Sequence, residues 1–76
     1  MTDAAVPYVR DLGDLLWTLA DEARRTAGDD SYKRGRAFGL YEAVSLLEQQ
    51  AVAFGLPPAA VGMAERRAES LLTNQE

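Results

Sequence analysis

Two stretches of the chain have apolar residues at the spacing of an amphipathic helix. In the first, apolar side chains recur at intervals of three and four residues from Val9 to Ala23, and acidic and other polar side chains fill the opposite side. Asp3 is available as an N-terminal cap, and Pro7 is tolerated in a first turn because the N–H that it lacks would have no partner there. The pattern predicts a helix over about residues 4–27.

The second stretch predicts a helix over about residues 32–54 with a heptad seam. Two sets of apolar residues recur every seventh position: Ala37, Val44 and Ala51 in one, and Leu40, Leu47 and Phe54 in the other.

Between the two helices, Gly28 suits a left-handed helix end, and Asp29, Asp30 and Ser31 can cap the next helix. So short a turn predicts an antiparallel hairpin in which facing residue numbers sum to about 60. Leu16 would then face Val44, Leu12 would face Leu47, Leu19 would face Leu40, Val9 would face Ala51, and Phe54 would face Val6 or Pro7.

A strip of small residues runs beside the heptad seam. Gly35, Gly39 and Ala43 recur every four residues, so they share one side of the helix and leave room for a close neighbour. We expect a second copy of the chain to pack there across a two-fold axis. The predicted interface comprises Gly35, Phe38, Gly39, Ala43 and Leu46. In the alternative interpretation, the C-terminal helix covers one flank of the second helix and Trp17 fills the space above the small-residue strip within one chain.

The C-terminal part of the chain predicts a shorter third element. Gly55, followed by Leu56 and Pro57, is typical of a helix end. Apolar positions then predict either one helix over about residues 58–73, or a single turn broken at Gly62 and a helix from Met63. The expected fold is therefore all-α: one domain over residues 1–76, with a long antiparallel hairpin, a shorter C-terminal helix, and dimerisation into a bundle.

Composition favours association and argues against catalysis. A domain of 76 residues buries only about 60% of the surface that its unfolded chain exposes, so its core gains from a partner. The chain has no Cys and no His, which removes the usual nucleophiles, neutral-pH bases and transition-metal ligands. We expect no enzymatic activity, no catalytic or metal site, and no cofactor. Asp11, Asp14 and Asp21 lie on the solvated side of the first helix.

The net charge of −4 argues against a general affinity for nucleic acid or for an anionic membrane, because both rest on cationic surface. No stretch approaches the roughly 18 apolar residues that a membrane span requires. Residues 1–6 contain neither a basic cluster nor an apolar core, so no signal peptide is predicted and a cytoplasmic location is expected.

Five basic residues gather at the predicted hairpin tip and form a candidate anion patch: Arg24, Arg25, Lys33, Arg34 and Arg36. Four acidic residues lie in the same region, at Asp21, Glu22, Asp29 and Asp30. We expect pairing within the chain to dominate, because a nearly neutral patch releases few counterions on binding a polyanion.

Residues 50–70 resemble the helix-turn-helix pattern of DNA-binding proteins, on the spacing of Gln50-Ala51, Gly55-Leu56 and Val61. This resemblance implies DNA binding as an alternative function, with Ala59, Ala60 and Met63 at the groove. Three features depart from the pattern: Pro57-Pro58 at the usual cap, Gly62 in the reading helix, and Glu65 and Glu69 beside Arg66 and Arg67.

A second resemblance concerns the central helix. Gly35-Arg36-Ala37-Phe38, Tyr41-Glu42, Gln50-Ala51 and Phe54-Gly55 are similar to a pattern in small uncharacterised bacterial helical proteins, and this similarity implies no activity. The function expected from the sequence is thus a non-catalytic protein-interaction module of the adaptor or inhibitor type. It would form a homodimer and could engage another protein.

Overall fold

A computed structural model describes residues 3–72 of the chain. Two long helices, α1 (Ala5–Thr26) and α2 (Ser31–Ala53), pack against each other, and two short 3₁₀ helices follow at Pro58–Val61 and Ala68–Leu72. The described part of the chain contains no strand. The prediction of an all-helical fold built on a helical hairpin is confirmed.

The turn between α1 and α2 has the predicted chemistry. Gly28 adopts a left-handed conformation with φ 54°, which a residue without Cβ takes at little cost. The carboxylate of Asp30 accepts a hydrogen bond of 3.0 Å from the backbone N–H of Lys33 and so caps α2. At the other end of the hairpin the predicted cap is wrong. Ala4 precedes α1, and Asp3 contributes its backbone carbonyl, which accepts from the N–H of Val6 at 3.1 Å.

The end of α2 is a Schellman motif, as the sequence predicts. Gly55 is left-handed with φ 71°. The N–H of Leu56 donates to the carbonyl of Ala51 at 2.8 Å, and the N–H of Gly55 donates to that of Val52 at 3.0 Å. Two carbonyls at the helix end are therefore satisfied, and the chain turns back along the hairpin.

The C-terminal segment differs from both predictions. Residues 58–61 and 68–72 are 3₁₀ helices of four and five residues, and no helix begins at Met63. Gly62 ends the first of them with φ 74°, and Glu65 also has a positive φ of 58°. Two left-handed residues so close together redirect the chain, which cannot continue as an α-helix. The last position of the predicted helix, residue 73, lies outside the described residues.

The docking of this segment on α1 depends on Gly13. A Cβ on Gly13 would lie 1.7 Å from the carbonyl oxygen of Val61, so the two backbones touch where only glycine fits. Arg66 fixes the following residues, because its Nη1 donates to Asp14 at 2.6 Å and its guanidinium lies 5.4 Å from the ring centre of Trp17. Trp17 therefore packs under the C-terminal segment and does not cover the small-residue strip.

The contact between α1 and α2 has the predicted register, but α1 is rotated about its axis relative to the prediction. Leu47 approaches Gly13, at 3.2 Å from an added Cβ, and these residue numbers sum to 60. Val44 and Ala20 are buried, whereas Leu12 and Leu19 remain 42% and 40% exposed. The expected burial of Phe54 against Val6 or Pro7 is wrong: Phe54 follows the last residue of α2 and is 76% exposed.

Candidate functional site

The core of the described chain is built mainly from small side chains. Five of its nine buried apolar residues are alanines, and only Val44 and Met63 are large and almost fully buried. Twelve large apolar residues are exposed at the same time. Most of the large apolar surface is therefore available for contacts outside the chain.

One row of exposed apolar side chains follows α1. Tyr8, Leu12, Leu15 and Leu19 are separated by four, three and four residues, so they form a single stripe along the helix. Their exposed fractions range from 40% to 65%. Sequence reasoning assigned Leu12 and Leu19 to the helix contact and missed Tyr8 and Leu15, although the same three-and-four spacing includes all of them.

A second stripe follows α2 and contains four of the five predicted interface residues. Gly35, Gly39, Ala43 and Leu46 are exposed and follow one another at intervals of four, four and three residues. An added Cβ on Gly35 or Gly39 would meet no atom of another residue within 4 Å. The described chain thus leaves the small-residue strip uncovered.

The two stripes lie on the same side of the hairpin. Gly13 and Asp14 of α1 and Glu48 of α2 contact the C-terminal segment and so mark the opposite side. Successive residues of an α-helix are about 100° apart around its axis. On this basis each stripe lies roughly 100–220° around its helix from these residues, and the contact between α1 and α2 lies in between. We call this surface the open face, and it comprises Tyr8, Leu12, Leu15, Leu19, Gly35, Gly39, Ala43 and Leu46.

Phe38, the fifth predicted interface residue, lies elsewhere. Its ring centre is 5.6 Å from that of Tyr41, and it lines a cavity at the hairpin tip together with Leu71 and Leu72 of the C-terminal segment. The structure therefore separates Phe38 from Gly35, Gly39, Ala43 and Leu46. The C-terminal segment accounts for the difference, because its residues Leu71 and Leu72 line the same cavity as Phe38.

The basic patch at the hairpin tip is divided rather than continuous. Arg24 and Arg25 both pair with the carboxylate of Asp21, Arg25 at 2.8 Å. Arg24 and Arg34 line the same tip cavity. Lys33 and Arg36 are exposed and do not line it. Pairing within the chain thus engages Arg24 and Arg25, the two members of the patch that belong to α1.

The geometry expected for a helix-turn-helix is not formed over residues 50–70. The segment after Gly55 has 3₁₀ helices of four and five residues where a reading helix would be needed, since the major groove accepts an α-helix. Arg66, one of the two outward basic residues of that pattern, is turned to Asp14 and Trp17.

Two further properties of residues 3–72 bear on the kind of site. Neither α1 nor α2 has an apolar stretch long enough to cross a membrane. No group of three or more acidic side chains within these residues is arranged to hold a metal ion. Asp14 and Asp21 instead pair with arginines.

Comparison with known proteins adds no assignment. No protein-family model matches the chain, no curated protein matches it, and no solved structure matches it. The open face and the tip cavity are therefore interpreted from their own geometry.

Proposed function

We propose that the protein is a non-catalytic interaction module that associates with a second copy of itself through the open face. The observation that carries this proposal is the imbalance between a core rich in alanine and twelve exposed large apolar residues, five of which lie together on the open face. Contiguous exposed apolar surface is typical of interaction sites. The lack of both His and Cys supports a role without catalysis.

The size of the exposed surface supports a second copy as the occupant. The accessible surface is 5527 Å², whereas a folded monomer of 8.3 kDa is expected to expose about 4,600 Å². The excess of roughly 900 Å² is close to the 800 Å² or so that each partner buries in a standard interface. Pairing two open faces would give a four-helix bundle, in which both copies bury the same residues.

The small-residue strip suggests how the two copies meet. A two-fold axis beside Ala43 places Leu46 of one copy against Gly39 of the other, since these positions lie three and four residues on either side of Ala43. Leu46 would then fill the space that Gly39 leaves. The dimer so formed could present its remaining surface to another protein, as an adaptor or inhibitor does.

Sedimentation velocity over a concentration series tests this proposal. We expect the wild type to sediment as a dimer and Gly39→Leu to sediment as a monomer, because the new side chain occupies the space needed by Leu46. The monomer has room for it, so circular dichroism of Gly39→Leu should still show a helical chain. The matched control is Gln49→Leu, which adds the same side chain at an exposed position about 80° around α2 from Gly39 and about 120° from Ala43, beside which the proposed axis passes. A dimer that persists in Gly39→Leu, or a wild type that is monomeric at every concentration, contradicts the proposal.

A further inference from the structure

The tip cavity combines a cationic end with an apolar wall. It has a volume of about 420 Å³, within the range of small-ligand sites. Arg24 and Arg34 line one part of it, and Phe38, Tyr41 and Leu71 line another. This cavity lies on the side of the hairpin covered by the C-terminal segment, so it is separate from the open face.

Arg24 has hydrogen-bond donors in this region with no acceptor. Its Nη2 donates to Asp21, while its Nε and Nη1 are buried and have no hydrogen-bond partner within the described chain. The Arg24 side chain is only 17% exposed. Because a buried N–H without an acceptor loses its hydration and receives nothing in return, a ligand carboxylate that drew the Arg24 guanidinium toward the cavity would supply the missing acceptors through charge-assisted hydrogen bonds.

The charges around the cavity select the class of anion. Asp29 also lines it, and Asp21 lies against Arg24, so a phosphate dianion would meet two carboxylates as well as the two arginines. A single negative charge suffers less of this repulsion. The tilted Phe38–Tyr41 pair offers an apolar wall to the rest of such a ligand. We propose that the tip cavity binds a small monocarboxylate with an apolar body, its carboxylate accepting from Arg24 and Arg34.

Benzoate is the probe for this site, and NMR of the full chain gives the reading at the residue concerned. We expect titration with benzoate to move the Nε–Hε signal of Arg24 saturably. In Arg24→Gln the affinity should fall roughly tenfold or more, the loss expected for a charge-assisted hydrogen bond. The matched control is Arg25→Gln, since Arg25 pairs with the same Asp21 but is 63% exposed and does not line the cavity. Its affinity should equal that of the wild type.

Two other ligands and a second variant make the test decisive. Benzamide, which keeps the ring but lacks the charge, should bind at least about tenfold more weakly than benzoate. Arg34→Gln should weaken benzoate binding too, and it remains informative if Arg24→Gln fails to fold. An Arg24 signal that benzoate leaves unmoved overturns the proposal, as do equal affinities for benzamide and benzoate. Tighter binding of inorganic phosphate would overturn the monocarboxylate as the ligand class.

Discussion

Glycines in this chain allow two different kinds of close approach. Gly13 and Gly62 lie where the C-terminal segment meets α1, and an added Cβ on Gly62 would be 2.5 Å from the carbonyl oxygen of Arg10. Gly35 and Gly39, in contrast, face the open side of α2. Their period of four made this strip readable from the sequence. The need for Gly13 could not be predicted in this way, because it arises only when Val61, distant in sequence, packs against it.

A pair of alanine substitutions separates the two reasons for a glycine at position 62, which are its positive φ and the lack of room for a Cβ. Gly55 and Gly62 both have φ above 70°, but only Gly62 has neighbours within reach of a new Cβ. Gly55→Ala should lower the free energy of unfolding by about 1–2 kcal/mol, the cost of a left-handed residue with a side chain. Gly62→Ala should cost at least about 1 kcal/mol more, because Cβ would overlap the backbone of α1. Urea unfolding at one fixed protein concentration measures both. Equal losses would mean that residue 62 does not pack against α1.

At the level of the elements, the two long helices follow from local signals and the C-terminal segment does not. The predicted helices over residues 4–27 and 32–54 differ by one residue at each end from Ala5–Thr26 and Ser31–Ala53. Capping by Asp30 and the left-handed Gly28 and Gly55 act within a few residues, so the sequence reveals them. The path after Gly62 depends on long-range contacts.

The buried residues of that segment were nevertheless partly predictable. Val61, Ala64, Ala68 and Leu71 have the three-and-four spacing of an apolar helical stripe. Three of them are buried, whereas Ala64 is exposed and Met63 takes a core position instead. The positive φ values of Gly62 and Glu65 account for the change, because they break the helical period between the two 3₁₀ helices. A left-handed glutamate has no local sequence signal, since long side chains disfavour that conformation.

Arg66 provides the test of how this segment is held. Arg66→Met keeps an apolar stem over Trp17 but removes the ion pair with Asp14 and the cation–π contact. We expect a loss of about 1–2 kcal/mol in the free energy of unfolding, modest because both charged groups are partly solvated. The control is Arg67→Met, whose exposed pairing with Glu69 at 3.7 Å should be worth about 0.5 kcal/mol or less. Thermal unfolding of both variants at matched concentration decides this. Equal losses of unfolding free energy in the two variants would show that Arg66 does not hold the C-terminal segment through Asp14 and Trp17.

At the scale of the whole molecule, the chain is longer and thinner than a compact domain of its size. Its radius of gyration is 13.3 Å, whereas about 11.4 Å is expected for 76 residues. Its dimensions are 47 × 19 × 18 Å, so it is more than twice as long as it is wide. Such a shape has little interior, and addition of a second hairpin on the open face would supply one.

Part of the open face could be predicted from the sequence and part could not. The strip of Gly35, Gly39 and Ala43 was identified because small residues every four positions form a line on any helix. The spacing of the stripe on α1 was also present in the sequence, but its exposure was not predictable, because the rotation of α1 about its axis is fixed by Gly13 packing on Val61. The place of Phe38 could not be predicted, because it depends on where residues 68–72 lie.

Disulfide cross-linking tests the central claim most directly, because the chain has no cysteine of its own. Ala43→Cys places one thiol beside the proposed two-fold axis, where two copies would bring their Cα atoms within the roughly 4.4–6.8 Å that a disulfide spans. Gln49→Cys is the control, exposed on the same helix but outside the open face. Under mild oxidation at low protein concentration, we predict covalent dimers of Ala43→Cys and far fewer of Gln49→Cys. Equal yields from the two variants, or no covalent dimer of Ala43→Cys, would contradict association through the open face.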